Sequence, residues 1–388
     1  MVTREIEPLV VKLAQGYPAL AITGPRQAGK TTLARAVFAH KPYVSLENPD
    51  IRELAIQDPR GFLSNYPEGA VLDEVQNCPA LLSYLQEILD SSGQRGQFVL
   101  TGSQQFGLIE GITQTLAGRI AMVQLLPFSC HEAYGAHPPS LDEALFRGAY
   151  PPMHDRKLDP TLWYANYMQT YIERDVRKLI NVRDLAPFQR FVRLCAGRAG
   201  QLLNLSQLGA EAGVTHNTAK AWISILEASY ILFLLQPHHR NFNKRLIKTP
   251  KLYFHDTGLA AWLLSIREAG QVATHPLRGA LFENWVISEM LKARFNCGLP
   301  SHLYFWRDRA GNEVDVLLET ATELIPVEIK SGQTVNSDYF KGITHWLSLA
   351  NPREPRAWLV YGGREGHQRH ETRILSWRNL PALNDLTR

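Results

Sequence analysis

Cysteine is scarce in this 388-residue chain: Cys78, Cys130, Cys195 and Cys297 are the full set, and no two have C-x-x-C spacing. That argues against a disulfide framework or a structural zinc and for a reducing compartment, simplest as a bacterial-type cytoplasm. Long apolar runs are missing as well. The most apolar stretch, Ile223 to Leu235, is interrupted by Glu227 and too short to span a bilayer. It is expected to be a buried helix or a helix–strand pair, and no membrane association is expected. The first eight residues carry Arg4, Glu5 and Glu7 and lack the pattern of a signal or transit peptide.

No strong excess of either charge is present, with 41 Lys+Arg against 37 Asp+Glu and a net charge of +4. The distribution is uneven: residues 1–150 carry a net −4, residues 151–260 +7 and residues 261–388 +1. A polyanion would therefore meet the middle of the chain, unless that bias marks only a solvated or docking surface. An apolar fraction of 45% with 20% charged residues is that of a soluble globular protein, and the length predicts two to four domains.

What is present begins at Ala19. Leu20 to Thr23 reads as a short buried strand, Thr31 to His40 as a helix, and between them Gly24-Pro25-Arg26-Gln27-Ala28-Gly29-Lys30-Thr31 matches G-x-x-x-x-G-K-[ST]. Glycines let the backbone wrap so that its N–H groups meet phosphate oxygens, and the helix N-terminus adds partial positive charge. Residues Gly24 to Thr32 are thus predicted to bind ATP, with Lys30 on the β- and γ-phosphates and the Thr31 hydroxyl on Mg²⁺. Further apolar strands are expected at Tyr43–Leu46, Gly69–Glu74, Phe98–Ser103 and Ala121–Leu126, with helical patterns between, as at Pro79–Leu89. Strand alternating with helix predicts a parallel sheet covered on both faces, with ligands at the strands' C-terminal ends. Those ends offer Asp73 for Mg²⁺, Glu74 for the attacking water, and Ser103 or Gln104 as a polar sensor. Arg119 is a candidate arginine finger or sensor.

The strings TGPRQAGKTT, VLDEVQ, LTGSQQF, LAGRI and LLPFSCHE, with FRGAYP at 146–151, YIERDV at 171–176, KTPKLY at 248–253 and DTGL at 256–259, resemble a group of prokaryotic AAA+-related P-loop ATPases. The C-terminal half of that group is a domain of unknown function. The resemblance covers nearly the whole chain and implies ATP binding and hydrolysis. One small departure is Gly148-Ala149, where the family has a glycine pair.

The middle is expected to open with a connector helix, Trp163 to Leu179, packed as a lid or linker. Leu205 to Leu226 then reads as a helix-turn-helix, with Ser206 and Thr215 as caps and Gly213 in the turn. A strand pair, Tyr230–Leu235 and Lys251–Phe254, would form a wing around the basic loop Arg240 to Arg245. His216, Asn217, Thr218 and Lys220 on the second helix are a thin set for reading bases. Any DNA contact is therefore expected mainly through the backbone, from Arg240, Lys244, Arg245 and Lys248, with Lys220 as the candidate on the second helix.

After about residue 275 the pattern becomes helix Ala280–Arg294, strand Leu303–Arg307, hairpin strand Glu313–Leu318 and strand Leu324–Lys330, with a later strand at Trp358–Tyr361. Glu283, Asp315, Glu328 and Lys330 fall on these elements. Side chains alternate along a strand, so Glu328 and Lys330 face one side. Paired carboxylates with a lysine can hold Mg²⁺, here on Asp315 and Glu328, and activate water on a phosphodiester. Over residues 278–335 the residues and element order resemble the PD-(D/E)xK nuclease superfamily.

The expected fold is α/β: a P-loop NTPase domain over 1–135, a helical lid over 136–195, a winged helix over 196–272, and a restriction-endonuclease-like α/β domain over 273–388. The expected function is a cytoplasmic Mg²⁺-dependent ATPase coupled to DNA binding or cleavage, with a homo-oligomer left open. Its rivals are a regulatory switch whose nuclease-like domain only recognises protein or DNA, and an ATP-dependent regulator that binds DNA without cutting it.

Overall fold

The structure is a computed structural model. It describes residues 2–103, 115–171, 176, 185–238 and 247–379. Two compact units are distinguished. The first comprises Met1–Phe128 with two short later segments, Ala228–Tyr230 and Phe295–Leu299; the second comprises the rest.

Unit one contains α1 (Glu7–Gly16), β1 (Ala19–Thr23), α2 (Lys30–Val37), β2 (Tyr43–Ser45), α3 (Pro49–Gln57), α4 (Pro59–Ser64), β3 (Val71–Asp73), α5 (Leu81–Ser92), β4 (Phe98–Gly102) and β5 (Ile120–Gln124). The strands form one parallel sheet in the order β2-β3-β4-β1-β5. Every residue of β1 is buried, and their alternation divides the core. Ala19 and Ala21 join Leu72, Leu81, Leu85 and Leu100 on one face. Leu20 and Ile22 join Val10, Leu33, Val99 and Val123 on the other. Both faces carry helices, as a buried parallel sheet requires. The expected strand at Ala121–Leu126 begins one residue earlier and ends at Gln124.

Unit two begins with short helices α6 (Cys130–Tyr134), α7 (Leu141–Arg147) and α8 (Pro151–Asp155), then α9 (Pro160–Tyr171), α10 (Ala186–Ala196), α11 (Leu205–Ala212) and α12 (His216–Ala228). The expected connector helix is described only as far as Tyr171; its later part lies outside the described residues apart from Val176. Tyr150, Trp163 and Tyr167 pack together there, the last two stacked with centroids 5.0 Å apart. Two glycines permit a buried polar knot beside them. A Cβ on Gly148 (φ +67°) would stand 2.2 Å from the Tyr164 hydroxyl, and one on Gly258 2.3 Å from it. The knot itself is Asp256, which accepts from Ala149 N at 2.7 Å, Leu259 N at 2.9 Å and Tyr164 OH at 2.5 Å.

Helices α11 and α12 meet at Gly213, whose left-handed backbone (φ +79°) ends α11. The cap of α11 is Asn204, accepting from Gln207 N at 3.0 Å, rather than Ser206, because the helix starts one residue before that serine. Thr215 does cap α12, through Thr218 N at 3.1 Å. Strands β6 (Leu232–Leu235) and β7 (Lys251–Phe254) follow as an antiparallel pair. The basic loop between them, with Arg240, Lys244 and Arg245, lies outside the described residues.

The last part holds α13 (Thr257–Leu263), α14 (Ala269–Thr274), α15 (Arg278–Asn296), β8 (Leu303–Arg307), β9 (Glu313–Glu319), β10 (Leu324–Lys330), α16 (Lys341–Ala350), β11 (Ala357–Tyr361), β12 (His367–Arg369) and β13 (Thr372–Ser376). Its sheet is mixed, ordered β12-β13-β11-β10-β9-β8. β8, β9 and β10 are antiparallel neighbours, whereas β10, β11 and β13 run parallel. The parallel step from β10 to β11 needs a crossover, and α16 supplies it, burying Trp346 against Trp306, Val314 and Leu317. The architecture is therefore α/β overall: a parallel P-loop-type sheet, a helical stretch with the β6–β7 pair, and a mixed sheet.

Candidate functional site

The first site forms where β1, β3 and β4 end. Gly24 (φ +146°) and Gly29 (φ +93°) take backbone conformations that L side chains avoid, and a Cβ on Gly24 would lie 2.1 Å from Leu125 O. Glycine is therefore required for the turn out of β1. Lys30, the first residue of α2, is buried, and its Nζ donates to Gly24 O at 2.9 Å and Pro25 O at 2.7 Å. Thr31 Oγ1 donates to both oxygens of Asp73, at 3.0 and 3.2 Å. Glu74 (φ +55°) turns its carboxylate to Ser103, whose Oγ lies 3.2 Å from Oε2, and Gln76 donates to the same oxygen. Lys30, Thr31, Asp73, Glu74 and Ser103 thus share one end of the sheet. Hydroxyl, carboxylate and ammonium are the donor set that Mg²⁺ and a triphosphate require. Gln104 lies outside the described residues.

Three residues that sequence reasoning missed support this end. Tyr43, from β2, donates to Asp73 Oδ2 at 2.6 Å, and the Thr101 hydroxyl donates to Oδ1. Burial and then the bond to Asp73 push the Tyr43 phenol up to about 12, so it remains a donor at neutral pH. Arg4 donates from Nη1 to Ala28 O at 2.7 Å and from Nη2 to Leu126 O at 2.8 Å, bracing the loop from beneath. Thr101 sits at a strand end where a sequence search could have found it; Arg4 carries no local signal.

Arg119 requires a correction. Its carbonyl accepts from Ala19 N, at the start of β1, so it lies at the opposite end of the strands from Lys30. Its guanidinium holds Asp90, at 2.5 and 2.9 Å. That placement keeps its side chain away from Lys30 of the same chain.

The second cluster lies in unit two. β9 and β10 pair up to Val327 and Val316; just beyond, Asp315 Oδ2 accepts from Ile329 N at 2.8 Å, in place of a strand–strand bond. The Lys330 ammonium sits between two carboxylates, 3.3 Å from Asp315 Oδ2 and 2.5 Å from Glu328 Oε1. Asp315 is 8% exposed and Glu328 7%, and Glu328 Oε2 is buried with no hydrogen-bond partner among the described residues. From α15, Glu283 Oε1 receives Tyr253 OH at 2.5 Å and Lys251 Nζ at 3.2 Å. Lys251 also lies 2.5 Å from Glu313 Oε1.

Burial, then the neighbouring Asp315, pushes the Glu283 carboxyl up to about 7 and the Glu328 carboxyl up to about 8. Burial alone would lower the two lysines, but the surrounding carboxylates more than offset it and raise them. Both partners of each ion pair therefore move upward. That is consistent, because more acids than ammoniums are gathered here and the excess is relieved by protons. Among the described residues, no three His, Cys, Asp or Glu side chains are arranged to hold one metal ion.

Lys220 is exposed on α12, beside the exposed His216 and Asn217. Lys248 is described, whereas Arg240, Lys244 and Arg245 are not.

Residues 16–134 match the AAA domain family, so the class is an AAA-type P-loop ATPase domain. Residues 138–270 match a domain of unknown function, DUF8612, and residues 278–380 another, DUF4143. The uncharacterized protein Rv2008c of Mycobacterium tuberculosis is 31% identical over 322 residues, 82% of this chain and 71% of its own length. Uncharacterized protein Mb2031c of Mycobacterium bovis matches with the same figures. The chain belongs to the family of these proteins. Among solved structures, a Walker-type ATPase of Pyrococcus abyssi has a TM-score of 0.46 at 14% identity, covering 67% of this chain and 94% of that one. A signal transduction ATPase with numerous domains from Pyrococcus horikoshii has 0.23 at 10%, covering 77% and 48%. Among the described residues, no helix is long and apolar enough to cross a membrane.

Proposed function

We propose that this is a cytoplasmic ATPase whose nucleotide cycle drives a DNA-binding and DNA-cleaving module. ATP is taken by the loop from Gly24 to Thr32, with Lys30 leaving its own loop carbonyls for the phosphates. Thr31 and Asp73 hold Mg²⁺, Glu74 orients the attacking water, and Ser103 keeps Glu74 in place. In the second unit, α11, α12 and the β6–β7 pair serve as a winged helix, gripping DNA backbone through Lys220, Lys248 and the basic loop.

The observation that carries cleavage is the meeting of Asp315, Glu328 and Lys330, with Glu328 Oε2 buried and without a hydrogen-bond partner among the described residues, and with Glu283 close enough for its charge to raise the Glu328 carboxyl. Asp315 and Glu328 would hold a divalent ion, which when bound supplies Lewis-acid activation of water and phosphodiester. Lys330 orients both carboxylates and offers positive charge to the developing phosphorane. Tyr253 fixes the Glu283 carboxylate by its hydrogen bond.

A second reading has its own support. Lys251 and Lys330 already compensate much of the cluster's charge, as a non-cleaving recognition fold would need. ATP state would then alter contacts to protein or DNA without chemistry on DNA. An assay of several DNA forms with Mg²⁺ or Mn²⁺ separates the two. Cleavage that falls to background in Asp315→Ala and Lys330→Ala is expected. Absent cleavage, or cleavage indifferent to both substitutions, would leave the recognition reading.

A further inference from the structure

Strand β7, Lys251-Leu252-Tyr253-Phe254, lies outside the stretch 278–335 that carries the nuclease-like pattern. Yet two of its side chains enter the acidic cluster. The Lys251 side chain is 3% exposed, 2.5 Å from Glu313 Oε1 and 3.2 Å from Glu283 Oε1. Tyr253, two residues on and on the same face of the strand, donates to that same Glu283 oxygen. The Phe305 ring lies 5.5 Å from the ammonium. A buried ammonium is costly unless paired, and this one is paired twice, with acids from α15 and β9.

The cluster therefore has two halves. At Glu283 and Glu313 the charge is met by an ammonium on a stem anchored in β7. At Asp315 and Glu328, Lys330 takes one oxygen of each, and Glu328 Oε2 is left buried with no hydrogen-bond partner among the described residues. We propose that Lys251 is a resident cation, permanently filling the Glu283/Glu313 half, so that the cluster accepts one divalent ion, at Asp315 and Glu328, rather than two. This rests on the reading of the cluster as a divalent-ion site. Two-ion phosphodiester sites hold their metals about 3.5–4 Å apart. An ammonium supplies charge but no open coordination position, so the Glu283 half positions and neutralises while water activation belongs to the Glu328 half. Lys251 is accordingly a positioning residue, acting through Glu283.

The test counts Mn²⁺ bound by the full chain, without nucleotide, from the electron paramagnetic resonance of the free ion, and follows Tm in parallel. Wild type is expected to bind one Mn²⁺ that is lost in Glu328→Gln. Lys251→Met is expected to bind a second, and its lowered Tm in EDTA to recover with Mn²⁺, one cation replacing another. Lys251→Met/Glu283→Gln removes an acid together with the ammonium; it is expected to fold without metal and to return to one ion. If wild type binds two at this cluster, or if Lys251→Met still binds one and regains no stability, the resident-cation proposal is overturned while the metal site stands. If wild type binds none there, both fall.

Discussion

One buried oxygen in the second unit, Glu328 Oε2, has no hydrogen-bond partner among the described residues. Its carboxyl is held well above the usual range by burial and by Asp315, and Glu283 is raised for the same reasons. The sign of the pH effect follows. Below about pH 4.5 both groups are protonated in the folded and the unfolded chain alike. As pH rises further, the unfolded chain loses these protons while the folded one holds them to about pH 7 at Glu283 and about pH 8 at Glu328, so stability falls with rising pH over that window. The lysines stay charged throughout that window. In metal-free buffer, unfolding free energy should drop by roughly 2–4 kcal/mol between pH 5 and pH 8 from this source. Glu328→Gln, neutral at every pH, should show a flatter profile by urea titration; an unchanged slope would mean the proton is not held there.

Among the elements, α13 shows how a local signal and a remote contact meet. Asp256 caps its first turn through Leu259 N, as an aspartate before Thr-Gly-Leu suggests. The same carboxylate accepts from Ala149 N and Tyr164 OH, far away in sequence. Removing it takes the acceptor from two buried backbone donors, Ala149 N and Leu259 N, and leaves Tyr164 OH only its longer bond to Arg147 O at 3.1 Å. Asp256→Ala should destabilise the second unit by about 3 kcal/mol or more, against about 1 for loss of an ordinary cap. Denaturant unfolding measures the difference, and a loss near 1 would reduce Asp256 to a cap. The knot also explains why position 149 tolerates alanine: it is Gly148, with its positive φ and its contact with Tyr164, that requires glycine.

For the whole molecule, two compact units predict at least two calorimetric transitions. The P-loop belongs to the first unit. Mg²⁺–ADP at about 100 times its Kd should stabilise that unit by about 2.7 kcal/mol and raise one transition by about 10 °C, leaving the other in place. Lys30→Ala should abolish the shift. A shift of both transitions by equal amounts would show that the units unfold as one.

Much of this was legible in residue order. The P-loop string, the strand-ending Asp73 and Glu74, and the helix-turn-helix spacing are local patterns, and local patterns impose local geometry. The hairpin and the E-x-K strand were legible too, because alternation alone puts Glu328 and Lys330 on one side. Other features had no local signature. α16, β12 and β13 were not expected, since a crossover helix and edge strands are specified by the sheet they complete. The placement of Arg119 against Asp90 was decided by the direction of β5. The convergence of Lys251 and Tyr253 on Glu283 was decided by the packing of β7 beside α15 and β9. Sequence alone determined which chemical groups this protein has and which short stretches present them. Tertiary structure decided which of those groups share a dry space, because burial and the charges of distant neighbours exist only once the chain has closed around them.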